Sequence, residues 1–253
     1  MLRYFIKLSY DGTNYHGWQS QNNAKTLQSE IEKALSVLLS QQTEITGAGR
    51  TDAGVHAKEY FAHFDCNISL NKDKLNDFIY RLNAILPSDI AVYSIFHVNK
   101  DVHARFSAVS RTYRYYISKN KEPFIKMYSW CIYENLNIEL MNNAAAVLYD
   151  YTDFTSFSKL HTNVKNNNCK IIHASWHTEN NMLIFTITAD RFLRNMVRSI
   201  VGTLLDAGRE KISINDFRNI IECKNRCDAG YSVPARGLFL EKIEYSRDIY
   251  IVN

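Results

Sequence analysis

The chain has 253 residues and a formal net charge of +4, with 46% hydrophobic and 22% charged residues. That length supports one large domain or two modest ones, and the composition excludes wholesale disorder. No apolar run approaches the roughly 20 residues a membrane-spanning helix requires, and the opening MLRYFIKLSYDG reads as a strand rather than a leader, so a cytoplasmic protein with no membrane partner is expected.

Short runs rich in β-branched and aromatic residues predict strands at 2–10, 44–47, 60–66, 90–98, 111–118, 171–177, 183–189 and 238–245. Between the first two, Thr26 is placed to cap a helix with apolar positions Leu27, Ile31, Leu35, Leu38 and Leu39. A second helix carries Leu75, Phe78, Ile79, Leu82 and Ile85 and must stop before Pro87. Further helices are expected at 138–149, 192–207 and 215–222. The alternation predicts an α+β protein in two halves, 1–105 and 106–253, rather than a strict βαβ array.

Five scattered cysteines are an odd count in a chain too long to need staples, so reduced thiols are expected. Cys223 and Cys227 lack a second ligand pair, and His161, His173 and His177 match no compact ligand set, so no metal is expected. From 102 to 121 the chain carries Arg105, Arg111, Arg114, Lys119 and Lys121 and no acidic residue, with Phe106, Tyr113, Tyr115 and Tyr116 interleaved among them. Basic groups neutralise phosphates and aromatic faces stack on unpaired bases, which suits RNA; an amphipathic strand with a solvated edge fits equally well.

If 192–207 is helical from its start, Arg191, Arg194 and Arg198 fall within an arc of about 60°, opposite an apolar face of Phe192, Leu193, Met196, Val197, Ile200 and Leu204. Gly202 sits in that arginine row, where it admits close approach by a ligand or another backbone. A solvated basic face is the alternative, but with few acidic residues nearby to pair with, an anionic partner is the expectation for such a face.

The stretch GAGRTDAGVHA, residues 47–57, fails as a dinucleotide loop because Asp52 occupies the place of the third glycine, and it lacks the Gly-Lys-Ser/Thr of a phosphate loop. Glycines let a substrate approach a short carboxylate, and a nearby arginine orients it through a charge-assisted pair. An oriented carboxylate is a nucleophile or base; an Asx-type turn tied by an ion pair is the structural alternative. His56 is expected to be a strand residue. The residues alone point to chemistry on RNA without naming the reaction. An RNA-binding protein without chemistry and a nucleotide-cofactor enzyme are the competing classes.

GAGRTDAGVHA resembles the signature of TruA-type tRNA pseudouridine synthases. YDGTNYHGWQSQ (10–21), LNAILPSDIAV (82–92), HARFSAVSRTYRYYI (103–117), DFTSF (153–157), FLRNMVRSIVGTLL (192–205) and GLFLEKIEY (237–245) resemble further blocks of that family in order. The resemblance implies a pseudouridine synthase fold, two ferredoxin-like α+β halves around a largely antiparallel sheet with a central active-site cleft. It implies an isomerase with no cofactor, working as a homodimer on uridines 38, 39 and 40 of the tRNA anticodon stem-loop. Asp52 matches the catalytic aspartate and Arg50 the arginine of its loop. Tyr113 matches the tyrosine that stacks on the target base, Arg198 the arginine that pairs with the carboxylate, and Leu238 a leucine of the pocket wall. Arg114, Arg191 and Arg194 are expected to bind substrate. Arg191 and Arg236 stand where relatives carry uncharged or variable residues, and are expected to make tRNA binding more salt-dependent. The block 10–21 has no role that the residues themselves supply.

Overall fold

A computed structural model describes residues 1–67, 72–159, 166–246 and 249; His161 lies outside the described residues. In chain order the elements are β1 (Leu2–Tyr10), α1 (Leu27–Leu39), β2 (Thr46–Gly47), β3 (His56–Cys66), α2 (Lys72–Ile85), β4 (Ile90–Val98), β5 (Ala108–Ser118), β6 (Trp130–Cys131), α3 (Ile138–Val147), β7 (Ile171–Glu179), β8 (Met182–Ala189), α4 (Met196–Gly208), α5 (Ile214–Glu222) and β9 (Leu238–Tyr245). The result is α+β with mostly antiparallel strand pairing. No helix among the described residues is long and apolar enough to cross a membrane.

The chain forms two compact units, Met1–Val109 with Leu240–Asn253, and Ser110–Phe239. In the first, β1 is flanked antiparallel by β3 and β4, with Phe5 opposite both His63 and Phe96. Side chains alternate across a strand, so Arg3, Phe5 and Lys7 share one face and Tyr4, Ile6 and Leu8 the other. Phe5, Ile6 and Leu8 are completely buried, each worth roughly 1.5–3 kcal/mol of hydrophobic stabilisation. Thr26 caps α1 as its sequence predicts, its hydroxyl accepting the Ser29 N–H. In α2, Phe78 and Leu82 are buried, but Ile85 is 45% exposed and Leu86 takes the inward position. Leu86 lies four residues beyond Leu82, the spacing that keeps one helix face. On the face bearing Phe5, Tyr245 at the end of β9 contacts the rings of Phe5 and Phe61 and donates its hydroxyl to the Ala104 carbonyl at 2.5 Å.

In the second unit β8 pairs antiparallel with β5 and β7, and β6 adds a short parallel pairing to β5. Helix α3 packs on α4 and β7, and α5 on α3 and α4. Ser213 and Asp216 form a reciprocal capping box that starts α5.

The expected helix 192–207 is corrected at its start. Asn195 takes a left-handed φ of 67°, and the helix begins at Met196. Arg191 and Arg194 therefore lie on the β8–α4 connection, and the three arginines form no common helical row. Nor does α4 offer a broad polar face. Ser199, Val201, Gly202 and Thr203 are buried along with its apolar residues. The cover over Gly202 is backbone, since a Cβ there would stand 1.9 Å from the Tyr231 carbonyl oxygen.

Candidate active site

In the first unit the Asp52 loop runs from β2 to β3 and is held by the block 10–21. Thr51, only 8% exposed, is fixed from two directions. Its carbonyl accepts the Trp18 N–H at 3.2 Å, and its hydroxyl bonds the Tyr10 hydroxyl at 2.9 Å. Tyr60 stacks near Trp18, ring centroids 4.1 Å apart, and its hydroxyl donates to the Gly49 carbonyl while accepting the Gly49 N–H. The turn itself closes with the Val55 N–H donating to the Asp52 carbonyl at 3.2 Å and Gly54 at φ 76°. Asp52 is thus the first residue of a tight turn whose upstream neighbour is hydrogen-bonded through both its carbonyl and its hydroxyl, and its side chain is half-buried. Arg50 is exposed.

The glycines of the block 10–21 make this contact possible. Gly12 leaves no room for a side chain, since a Cβ would lie 2.0 Å from the Val55 carbonyl oxygen. Its N–H donates to Nδ1 of the buried His56 at 3.2 Å, and the Asp11 carboxylate lies 3.0 Å from the same nitrogen. Gly17, at φ 93°, brings its backbone against Thr51 and Asp52. Tyr15 accepts the Gly54 N–H on its carbonyl, and its phenol donates to Asp89. Burial and that carboxylate hold the proton on Tyr15 well above the usual phenol range. The block is therefore a cradle for the loop. Its signal in the sequence was two glycines set among Tyr10, Tyr15 and Trp18, a pattern that implies close backbone approach but cannot say to what.

The remaining candidates lie in the second unit. Tyr113 stands on β5 opposite Ile187, and its ring meets Phe192 edge to face, 5.1 Å between centroids and 88° between planes. Arg114, the next residue on the strand, projects to the opposite face of the sheet, so the two do not line one surface. The Arg191 N–H donates to the Asp190 carboxylate at 2.7 Å, and Arg194 is exposed. Leu238 is buried at the start of β9.

Arg198, on α4, is half-buried and its Nε donates to the Val233 carbonyl at 2.7 Å, which fixes the plane of the guanidinium. That carbonyl belongs to a braced loop. Arg226 donates to the carbonyls of Ala229 and Gly230 at 3.2 and 3.1 Å and to the Ser232 hydroxyl at 2.9 Å. The Asn195 amide reaches the same hydroxyl, and Gly230 donates to the Thr203 hydroxyl of α4 at 2.9 Å. One residue on, the Pro234 carbonyl accepts the Tyr115 hydroxyl at 2.9 Å. Burial pushes the Tyr115 phenol far above its usual range, so it acts only as a donor. None of these supporting residues was legible as functional, because each acts through a backbone carbonyl that carries no side-chain signature.

A family model for tRNA pseudouridine synthase matches residues 7–107 and 145–246. The chain is 54% identical over 250 residues to tRNA pseudouridine synthase A of Bacteroides fragilis, covering 98% of both proteins. It is 50% identical to that of Porphyromonas gingivalis, covering 99% of this chain and all of the relative, and 40% identical to that of Clostridium acetobutylicum, covering 95% and 98%. On identity, coverage and the matching of both halves, this chain belongs to the tRNA pseudouridine synthase family.

Proposed function

We propose that this protein isomerises uridine to pseudouridine in the anticodon stem-loop of tRNA, at positions 38, 39 and 40, with Asp52 as the catalytic carboxylate. Family membership supports the reaction class. The observation that favours Asp52 is the rigidity of its turn, with Thr51 pinned by Trp18 and Tyr10 and Gly17 packed against it. A carboxylate held on a pre-formed turn spends little binding energy on orientation.

The reaction breaks the C1′–N1 bond, rotates the uracil and joins C1′ to C5, while C5 loses its proton and N1 gains one. The atoms balance without a redox cofactor or energy source. Asp52 engages the nucleotide, by attack at C1′ or C6 or by taking a proton from C2′. Tyr113 holds the loosened uracil by stacking, in a base taken out of its helix stack. Arg198 and Arg50 serve as the catalytic arginines, and Leu238 contributes to binding the substrate. Arg114, Arg191 and Arg194 contact the tRNA backbone. The working species is a homodimer in the cytoplasm.

Mapping pseudouridine in tRNA from cells lacking this protein, before and after incubation with it, tests the reading. Signal restored at 38, 39 or 40 supports it. Restoration only elsewhere in tRNA would refute the choice of site.

A further inference from the structure

The second unit carries a cationic pocket that the reaction does not use. It lies where β5 ends and the chain turns toward β6, with a volume of about 210 Å³. Buried Ser118 and Ser129 and exposed Lys121, Lys126 and Arg236 are among its lining residues. The serine hydroxyls are spent on the loop itself. Ser118 donates to the Asn120 carbonyl, and Ser129 to that of Ile125 at 2.9 Å. Arg236 braces the same loop, its Nε donating to the Ser129 carbonyl at 3.2 Å.

The charge is one-sided. Three cations line the pocket against one carboxylate, Glu122, whose Oε1 accepts the Phe124 N–H at 3.2 Å. Among the described residues neither Lys121 nor Lys126 has an ion-pair partner. Two unpaired ammonium groups beside an oriented guanidinium call for a compact anion. Pockets for drug-sized ligands begin at about 300 Å³, so this one suits a single phosphate group better than a whole nucleotide.

We propose that this pocket is a phosphate subsite that takes one backbone phosphate of the tRNA, remote in sequence from the Asp52 loop. The inference rests on tRNA being the substrate. It gives Arg236 a defined place: the extra charge acts as the third wall of a site whose other two walls are Lys121 and Lys126.

The test is tRNA binding by wild type and by Lys121→Ala/Lys126→Ala across a range of KCl, with thermal melting to verify folding. Both lysines are exposed, so the variant folds. Arg236 is left in place because it braces the loop. Loss of one phosphate contact weakens binding about 5–10-fold near 0.1 M salt, makes the log–log salt slope shallower by about 1, and vanishes near 1 M. Parallel salt lines for the two proteins would overturn the subsite while leaving the tRNA reading intact. Wild-type binding to tRNA without salt dependence would bring down the substrate reading and the subsite together. A second arm titrates inorganic phosphate. If phosphate binds wild type and not the variant while the tRNA slopes coincide, the pocket takes a free anion, and the RNA source is refuted.

Discussion

Gly17→Ala perturbs the candidate site without replacing any residue expected to contact substrate. Its backbone φ of 93° is strained for any residue with a Cβ, at a cost of about 1–2 kcal/mol. The new Cβ would also stand 2.5 Å from the Thr51 carbonyl oxygen, with the Asp52 carbonyl carbon at 3.3 Å. Ordinary contact needs roughly an ångström more. The atoms in the way are backbone, so relief comes from moving the turn that carries Asp52. A displacement of about 1 Å at a reacting group costs on the order of 10²-fold in rate. The expected outcome is a folded protein, destabilised by about 2 kcal/mol in urea unfolding, with tRNA affinity near wild type and single-turnover pseudouridine formation slowed about 100-fold. Gly49→Ala is the control in the same loop. A Cβ at Gly49 meets nothing within 4 Å and its φ is not left-handed, so stability should change by less than about 0.5 kcal/mol. Wild-type turnover by folded Gly17→Ala would refute the claim that the block 10–21 positions the catalytic loop.

Two further predictions follow from the supporting structure. Arg226→Ala removes three hydrogen bonds from the loop that presents the Val233 carbonyl to Arg198; kcat should fall about tenfold with KM for tRNA little changed, and an equal loss in KM alone would show that Arg226 serves binding instead. His63 is buried and its Nδ1 accepts the Ala104 N–H at 3.1 Å, so burial, reinforced by the Arg3 guanidinium, lowers its pKa to about 4. The unfolded chain takes up that proton near 6.5, and the native state does not until about 4. The contribution of His63 to stability is therefore unchanged above about pH 6.5 and declines as pH falls from there to about 4. Urea unfolding at several pH values should show this decline, and His63→Asn, which keeps an acceptor, should flatten it.

Local chemistry was legible where it acts within a few residues. Thr26 caps α1 through its hydroxyl, Pro87 lies just past the end of α2, and the ends of β1, β4 and β9 follow the apolar runs. Legibility failed where tertiary contact overrides periodicity. The run from Phe192 has helical spacing, yet Asn195 turns left-handed and delays α4, separating Arg191 and Arg194 from Arg198. Short polar side chains tolerate that conformation, and spacing does not reveal it. Gly202 reads as admitting a ligand or another backbone, and the backbone of Tyr231 takes that place. Of the candidate site, the Asp52 loop stood out because charge among glycines is rare. The cradle that holds it did not, because Gly12 and Gly17 acquire meaning only when Val55 and Thr51 lie against them.

The central claim is that Asp52 is the carboxylate of a uridine isomerase, and tritium release from C5-labelled uridine in whole tRNA tests it most directly. Wild type should release the label and Asp52→Ala should release none while binding tRNA with near-wild-type affinity. Release by Asp52→Ala at the wild-type rate would contradict the account, and leave the turn around Asp52 as structure alone.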